Sequence, residues 1–268
     1  MVFLSCLVKM WTIQSRVGGG GLDIRRVRDV LIRNCIISDN EVPFGEQSAG
    51  SGMFITQAQV LIENVQLVRN TASVGGGVYI LESTVSFRNC LFDNNIGSAI
   101  SLGHIYPFQM TNCTFGINNQ SIPGFREDDI DIFGIDFSKP RPMMSGCVSS
   151  KKVDSLVVVQ YSNVGRVDGV GNIDQDPQWV DPENGDYRLK SSSPCIDAGT
   201  KVEVFVDLDG NPRPVDVVGR GHEGNTSYDM GAYEFQISPA DLDSNGHVNS
   251  QDLILFQEQW HDFEEGGP

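Results

Sequence analysis

The 268-residue chain lacks a long apolar run and is short of basic residues. A membrane-spanning helix needs about 20 predominantly apolar residues. No segment of this sequence reaches that length, so we predict no membrane span. Nineteen lysines and arginines stand against 35 aspartates and glutamates, which leaves a net charge of −16. An acidic surface repels phosphate backbones, so the composition also argues against a nucleic-acid partner.

Several motifs that would carry chemistry are missing as well. The six cysteines do not follow the spacing of a zinc site. The glycine run at residues 18–21 is not followed by Gly-Lys-Ser/Thr, which excludes a phosphate-binding loop. The first residues lack the basic start and the long apolar core of a signal peptide.

The chain does contain a repeat. Four segments, residues 30–37, 60–67, 85–92 and 108–115, align on a shared asparagine that is followed by cysteine or valine. These turn asparagines are Asn34, Asn64, Asn89 and Asn112, and they lie 30, 25 and 23 residues apart. A period in this range is typical of a solenoid, in which each repeat forms one coil.

Each repeat predicts three short strands. Apolar residues alternate on both sides of the asparagine, as in Val30, Ile32, Cys35 and Ile37, and a third apolar pair comes before them. A period of two places these side chains on one face of a strand. The chain must turn at the asparagine, which tolerates a left-handed backbone. Stacked coils can bury the apolar face, so we predict a parallel β-helix with hydrogen bonds between the turn asparagines.

This pattern resembles the right-handed parallel β-helix family, which includes pectate lyases, polygalacturonases and many bacterial surface proteins. The resemblance covers residues 1–165 and implies an all-β fold of about five to six coils. The first apolar residues imitate the repeat, so the chain is expected to begin inside a coil, as a fragment of a longer secreted protein would. Of four polygalacturonase motifs we find an Asp-Asp pair at Asp128 and Asp129, in a predicted loop.

From residue 166 to residue 237 the repeat disappears. Short apolar stretches separated by Gly, Pro, Asp and Asn predict tight turns and short strands. The segment resembles the C-terminal tail of secreted β-helix proteins from planctomycete-like bacteria. The end of a stack of coils is an exposed sheet edge, so we expect this segment to be a cap. Its large side chains Trp179, Tyr187, Leu189 and Tyr233 would pack over the last coil.

The last segment, residues 238–268, carries a calcium-loop pattern. Oxygen-bearing side chains stand at loop positions 1, 3, 5, 9 and 12, and a glycine stands at position 6. The predicted ligands are Asp241, Asp243, Asn245, the backbone carbonyl of His247, Asn249 and Asp252. The expected ion is Ca²⁺, a hard cation that prefers six to eight oxygens, and a short helix should follow the loop.

This EF-hand-like loop and helix resemble a type I dockerin repeat. The resemblance implies a cohesin-like protein partner, with Ser250 and Gln251 at the positions where dockerins contact cohesin. Dockerins carry two such repeats, whereas this sequence shows one. A single half-site is expected to bind calcium weakly, in the range of extracellular modules.

The residues predicted to point outwards on the first strand of each coil are Asp23, Phe54, Tyr79 and Ser101, and these four are the candidate carbohydrate-binding residues. Two interpretations of the aromatic residues Phe54 and Tyr79 stay open. The rings stack on a polysaccharide, or they stack on each other and stabilise the coils. No two carboxylates are placed for sugar hydrolysis, so we name no catalytic residue. We therefore favour a secreted or cell-surface scaffold or adhesion module. The alternative is a lyase or glycoside hydrolase acting on an acidic polysaccharide.

Overall fold

The computed structural model describes residues 2–5, 9–10, 20–43, 49–103, 106–118, 130–133, 157–163, 169–221, 227–243 and 247–265. Within these residues the chain is built mainly from parallel strands, and one α-helix lies near its end. This confirms the all-β class that the repeat predicts. None of the described helices is long and apolar enough to cross a membrane.

Parallel strands of successive coils form two sheets. The larger sheet has nine described strands: β1 (Val2–Ser5), β2 (Lys9–Met10), β4 (Val30–Ser38), β6 (Gln59–Val68), β8 (Thr84–Arg88), β9 (Leu91–Asp93), β11 (Phe108–Thr111), β12 (Thr114–Phe115) and β14 (Val157–Gln160). The smaller sheet has five: β3 (Leu22–Arg25), β5 (Met53–Thr56), β7 (Val78–Leu81), β10 (Ile100–Gly103) and β13 (Ile130–Phe133). Outside them lie an antiparallel pair, β15 (Trp179–Asp181) and β16 (Asp186–Leu189), and the helix α1 (Ser250–Glu265).

The register of the larger sheet reproduces the alignment of the repeats. Val30 pairs with Val60, Val60 with Val85, and Val85 with Phe108. Strands β1 and β2 already pair with β4, so the first described residues belong to a coil, as expected. Each coil therefore lies on the one before it, and parallel pairing satisfies the backbone groups of the strands.

All four turn asparagines adopt the predicted left-handed backbone. Their φ angles are 55°, 57°, 52° and 54° at Asn34, Asn64, Asn89 and Asn112. Two more stacked columns of non-glycine residues share this conformation at other corners: Arg26, Gln57 and Glu82, and Asp39, Arg69 and Asn94. Side chains in these columns bond to one another, as Arg69 does to Asp39 at 2.7 Å. The corners thus recur at the same place in successive coils.

The inward-facing residues form one apolar core along the stack. Phe92 illustrates its packing: its ring lies 5.5 Å from the ring of Phe87 and 4.7 Å from that of Phe115, measured between centroids. All three side chains are buried. Alternation along each strand therefore supplies a continuous interior that no single coil could close.

Hydrogen bonds between stacked amides exist, but mainly in a different column from the predicted one. The asparagine ladder consists of Asn40, Asn70, Asn95 and Asn118. Each Nδ2 donates to the next Oδ1 along the stack, at 2.9, 3.0 and 3.0 Å. Among the turn asparagines, the Nδ2 of Asn64 donates to the Oδ1 of Asn34 at 2.8 Å. The overlooked signal is local: a second asparagine follows each turn asparagine by six residues.

The predicted cap lies along the side of the stack, not only over its last coil. We call residues 174–221 and 227–237 the lateral strap. Its predicted packing residues, Trp179, Tyr187, Leu189 and Tyr233, share one buried cluster with Val68 and Leu91 of the larger sheet. Val68 and Leu91 each neighbour an inward residue on their strand and so face outwards. These outward apolar side chains need cover, and the strap supplies it.

Candidate functional site

The outward column of the smaller sheet is assembled as predicted. Asp23 pairs with Phe54, Phe54 with Tyr79, and Tyr79 with Ser101. The rings of Phe54 and Tyr79 stack, with centroids 5.4 Å apart and planes inclined by 21°. Parallel register thus places one aromatic pair on adjacent coils.

Both faces of the Phe54 ring are covered by other side chains. Tyr79 stacks on it from β7, and the guanidinium carbon of Arg25 lies 4.8 Å from the ring centroid. Strands β3 and β7 flank β5 on opposite sides, so the two partners cover opposite faces. Arg25 also donates from Nε and Nη2 to the two oxygens of Asp23, at 2.6 and 2.8 Å. A sugar ring would have to displace Arg25, so the geometry favours mutual stabilisation of the coils.

Ser101 corrects one prediction. Its side chain is fully buried, and its Oγ lies 2.7 Å from the Oγ of Ser98. The assignment of Ser101 as a carbohydrate contact is therefore wrong, because the residue offers no surface to a ligand. Strand alternation fixes the direction of a side chain but not what packs over it.

The backbones of the two aspartates at this register, Asp23 and Asp131, lie too far apart for a catalytic pair. Asp131 occupies the same register position on β13. Four strand spacings separate Asp23 from Asp131 in the sheet order β13-β10-β7-β5-β3. At about 4.8 Å per strand, the two backbones lie about 19 Å apart. Glycoside hydrolysis uses carboxyl groups about 5–10 Å apart. Asp128 and Asp129 lie outside the described residues.

Three predicted ligands of the tail loop converge. Carboxylate oxygens of Asp241, Asp243 and Asp252 all lie within 4.8 Å of one another. Asp241 and Asp252 are only 5% and 3% exposed. Like charges held this close repel one another, so a cation among them would remove an electrostatic cost.

Asp252 also organises the loop around it. Its Oδ1 accepts from the backbone N–H of Leu242 at 2.7 Å, and its Oδ2 accepts from that of Asn249 at 2.7 Å. The Oδ1 of Asn249 accepts from the backbone N–H of Gln251 at 2.8 Å, so Asn249 and Asp252 form a capping box at the start of α1. These backbone donors, first that of Asn249, lower the pKa of the Asp252 carboxyl, which favours its charged, ligand-competent form.

The other predicted ligands are placed less completely. The ring Nδ1 of His247 lies 3.3 Å from the Oγ of Ser191 in the strap. The ring therefore contacts the strap, and the ligand role of the His247 carbonyl stays a prediction. That carbonyl accepts from the Nδ2 of Asn249 at 3.3 Å. Asn245 lies outside the described residues.

An exposed apolar stripe follows the loop. Leu253, Phe256 and Trp260 lie on one face of α1 and are 58%, 51% and 54% exposed. The rings of Phe256 and Trp260 lie 6.0 Å apart. Ser250 and Gln251 are exposed in the first turn of the same helix. The tail therefore presents polar and apolar side chains together, next to the carboxylate cluster.

A family model described as the right-handed β-helix region matches residues 5–139, slightly more than half of the chain. The matched segment contains most of the stacked coils. The chain belongs to the right-handed β-helix family. No curated protein and no solved structure matched the chain.

In this β-helix protein the outer surfaces of the coils are the candidate interaction surfaces. Sequence reasoning missed that outward amides of the larger sheet bind the strap: Asn112, for example, pairs with the backbone of Thr200. The asparagine itself is conspicuous in the repeat. Its partner Thr200 lies 88 residues away, and the sequence around Thr200 contains no pattern that identifies it as a partner of Asn112.

Proposed function

We propose that this β-helix protein is a non-catalytic scaffold outside the cell or on its surface. Its tail binds Ca²⁺ and attaches the scaffold to a protein partner. The observation that carries the proposal is the convergence of Asp241, Asp243 and Asp252 directly before a helix with an exposed apolar stripe. The stacked coils supply a rigid body on which such a tail can be displayed.

The donor set suits calcium. Carboxylate, amide and carbonyl oxygens are the ligands of this hard cation, and three clustered carboxylates supply the charge it needs. A single loop of this kind belongs to the weak class, with dissociation constants of about 10⁻⁴ to 10⁻³ M. Only the extracellular range of calcium would fill it, which supports a location outside the cell.

Calcium titration of the full chain tests this site. Because Trp260 follows the loop on α1, its fluorescence should change saturably, with a midpoint between about 10⁻⁴ and 10⁻³ M. The Trp260→Phe variant shows how much of the signal comes from this tryptophan. An Asp241→Asn, Asp252→Asn double variant should lose the response, whereas Asp209→Asn, in an exposed loop of the strap, should keep it. A double variant that titrates like the parent would show that the loop is not a site.

The stripe on α1 supports a protein partner. Three large apolar side chains on one helical face form a surface that a groove on another protein would cover. A cohesin domain is the probe that the dockerin-like pattern selects. We expect calcium-dependent binding that Leu253→Gln or Phe256→Gln weakens, with Ile254→Gln off the stripe as the matched control. Equal weakening by all three variants, or no binding in calcium, would contradict docking through the stripe while leaving the calcium site standing.

The alternative function is a polysaccharide lyase or glycoside hydrolase. The pairing of Asp23 with Arg25 and the separation of Asp23 from Asp131 argue against it. Depolymerisation assays on acidic and neutral polysaccharides test the choice, and turnover of any of them would overturn the non-catalytic part of the proposal.

A further inference from the structure

Two cysteines of adjacent coils lie next to each other in the interior of the stack. Strand β12 pairs with β9 in the register of Thr114 with Leu91, so the residues directly before them, Cys113 and Cys90, lie opposite each other. The backbone N–H of Thr114 donates to the carbonyl of Cys90 at 2.9 Å. Both cysteine side chains are fully buried in the apolar core, and both are free thiols in this structure.

The turn asparagines give the two cysteines the same direction. Asn89 and Asn112, which precede them, have φ angles of 52° and 54°, so the chain bends alike in both coils and both side chains point into the core. Adjacent strands lie about 4.8 Å apart, which is within the Cα separation of about 4.4–6.8 Å that a disulfide spans. A disulfide also needs Cβ atoms about 3.8 Å apart, so forming one would bring the two coils closer by about 1 Å at this corner.

The folded state protects these thiols from reaction. Burial first, and the neighbouring Cys113 thiol second, raise the pKa of the Cys90 thiol well above its ordinary value. Each thiol also donates to a carbonyl of its own turn, Cys90 to that of Arg88 at 3.2 Å and Cys113 to that of Thr111 at 3.5 Å. Because the thiolate is the reactive form, oxidation requires an open coil, as exists during folding.

Among the described cysteines, Cys90 and Cys113 have only each other within reach. On the other side of Cys90 the register places Val65, and Cys35 follows one coil further away. Cys35 is disulfide-bonded, so this column already contains one oxidised cysteine. Cys195 belongs to the separate buried cluster of the strap.

We propose that Cys90 and Cys113 form a disulfide that ties two adjacent coils together when the chain folds in an oxidising environment. The proposal rests on the location outside the cell that is part of the proposed function, because disulfide-containing oxidants act there. The thiolate of one cysteine attacks the oxidant and displaces one of its thiols. The second thiolate attacks the resulting mixed disulfide and displaces the other thiol. The cysteines lose two electrons and two protons, and the oxidant gains them as two thiols.

Refolding of the full chain tests the bond. The chain is reduced and unfolded in denaturant, then refolded either with a mixture of reduced and oxidised glutathione or with reduced glutathione alone. Iodoacetamide, added after a second denaturation, alkylates every cysteine that is not in a disulfide. Trypsin leaves both cysteines in one peptide, residues 89–126, because no lysine or arginine separates them. A chain that does not refold is produced by export to an oxidising compartment and mapped in the same way.

Mass spectrometry of this peptide gives the result. From oxidising conditions we expect the peptide without alkyl groups and lighter by two hydrogens than its reduced form. From reduced glutathione alone it should carry two alkyl groups. Two alkyl groups under oxidising conditions, or bonds of these cysteines to others, would overturn the proposal. The calcium titration does not involve these cysteines, so either result leaves the calcium site to its own test.

Thermal unfolding measures what the bond contributes. The oxidised parent should unfold about 5 °C above the reduced parent, because the bond restricts the unfolded chain. The Cys90→Val, Cys113→Val double variant lacks the bond, and valine already occupies this column at Val65. Its oxidised and reduced forms should differ less than those of the matched control Cys195→Ala, which keeps the pair. Equal differences in the two variants would show that the coils are not tied here and would overturn the proposal.

Discussion

The stacked coils and the lateral strap are stabilised in different ways. In the coils, strand pairing joins residues 23 to 30 positions apart, and side-chain alternation fills the interior. The strap has little regular structure beyond the β15–β16 pair. It is attached by buried polar contacts: Tyr187 donates to Asp93 at 3.0 Å, and Tyr233 donates to Gln66 at 2.8 Å.

The comparison teaches that a repeat satisfies its backbone by stacking, whereas a non-repeating segment needs individual polar partners. The strap contains a buried ion pair in which the Arg213 guanidinium bonds to Glu234, with both side chains fully buried. Asp229 lies beside them, and burial first and the charge of Glu234 second raise its pKa. Charges in such a place must be paired, because burial leaves them no water.

The largest expected effect comes from breaking this pair. Arg213→Met leaves the carboxyls of Glu234 and Asp229 buried without their cation, so the free energy of unfolding should fall by about 3–5 kcal/mol. Urea unfolding followed by tryptophan fluorescence measures the change. Arg188→Met, which breaks the exposed pair with Asp186, should cost less than about 1 kcal/mol. A loss in Arg213→Met as small as that in Arg188→Met would mean that the strap does not depend on its buried charges.

Within the coils, the asparagine ladder should matter nearly as much. Asn70→Ala leaves buried hydrogen-bonding groups of Asn40 and Asn95 without their partner, so we expect a loss of about 2–4 kcal/mol. Thermal unfolding followed by circular dichroism gives the value. Asn184→Ala, in the exposed turn between β15 and β16, should change stability by about 0.5 kcal/mol or less. A neutral Asn70→Ala would assign coil stability to the apolar interior alone.

A smaller change in the free energy of unfolding should appear when the pH changes, and it comes from a residue of the strap. Burial raises the pKa of Asp197 to about 6. The folded state therefore binds this proton more tightly than the unfolded state, so the stabilisation is present below about pH 4 and is lost as pH rises through about 6. In calcium-free buffer, we expect unfolding to require about 1–2 kcal/mol less at about pH 8 than at about pH 5.

The Asp197→Asn variant isolates that contribution, because general repulsion in this acidic chain acts in the same direction. Its stability profile should be flatter between about pH 5 and pH 8 than that of Asp176→Asn, at an exposed carboxyl of the strap. Parallel profiles of the two variants would remove Asp197 as the cause.

The smallest expected effect concerns the outward aromatic pair. Phe54→Leu keeps the apolar position but loses the stacking with Tyr79 and Arg25, which should cost about 0.5–1.5 kcal/mol. Urea unfolding measures the loss, and affinity electrophoresis through polysaccharide gels measures ligand binding. We expect unchanged migration. Retardation of the parent that Phe54→Leu abolishes would restore the carbohydrate interpretation of Asp23, Phe54 and Tyr79.

Much of the coil could be predicted because its determinants are local. Alternation around Asn34 and Asn64 specified which residues face the core, and a six-residue spacing to Asn40 and Asn70 would have indicated the ladder. The carboxylates of the tail loop could also be chosen from spacing. The burial of Ser101 could not, because it depends on packing from outside its strand.

The amino-acid sequence by itself determined the strands, their turns and their register, since these follow from side-chain period and from the left-handed tolerance of asparagine within each repeat. The tertiary structure decided where the strap lies, because Tyr233 and Gln66 are 167 residues apart and nothing near either residue identifies the other. It also decided that Arg25 occupies a face of Phe54. Such contacts form between different coils and segments, where shape and buried charge select the partner.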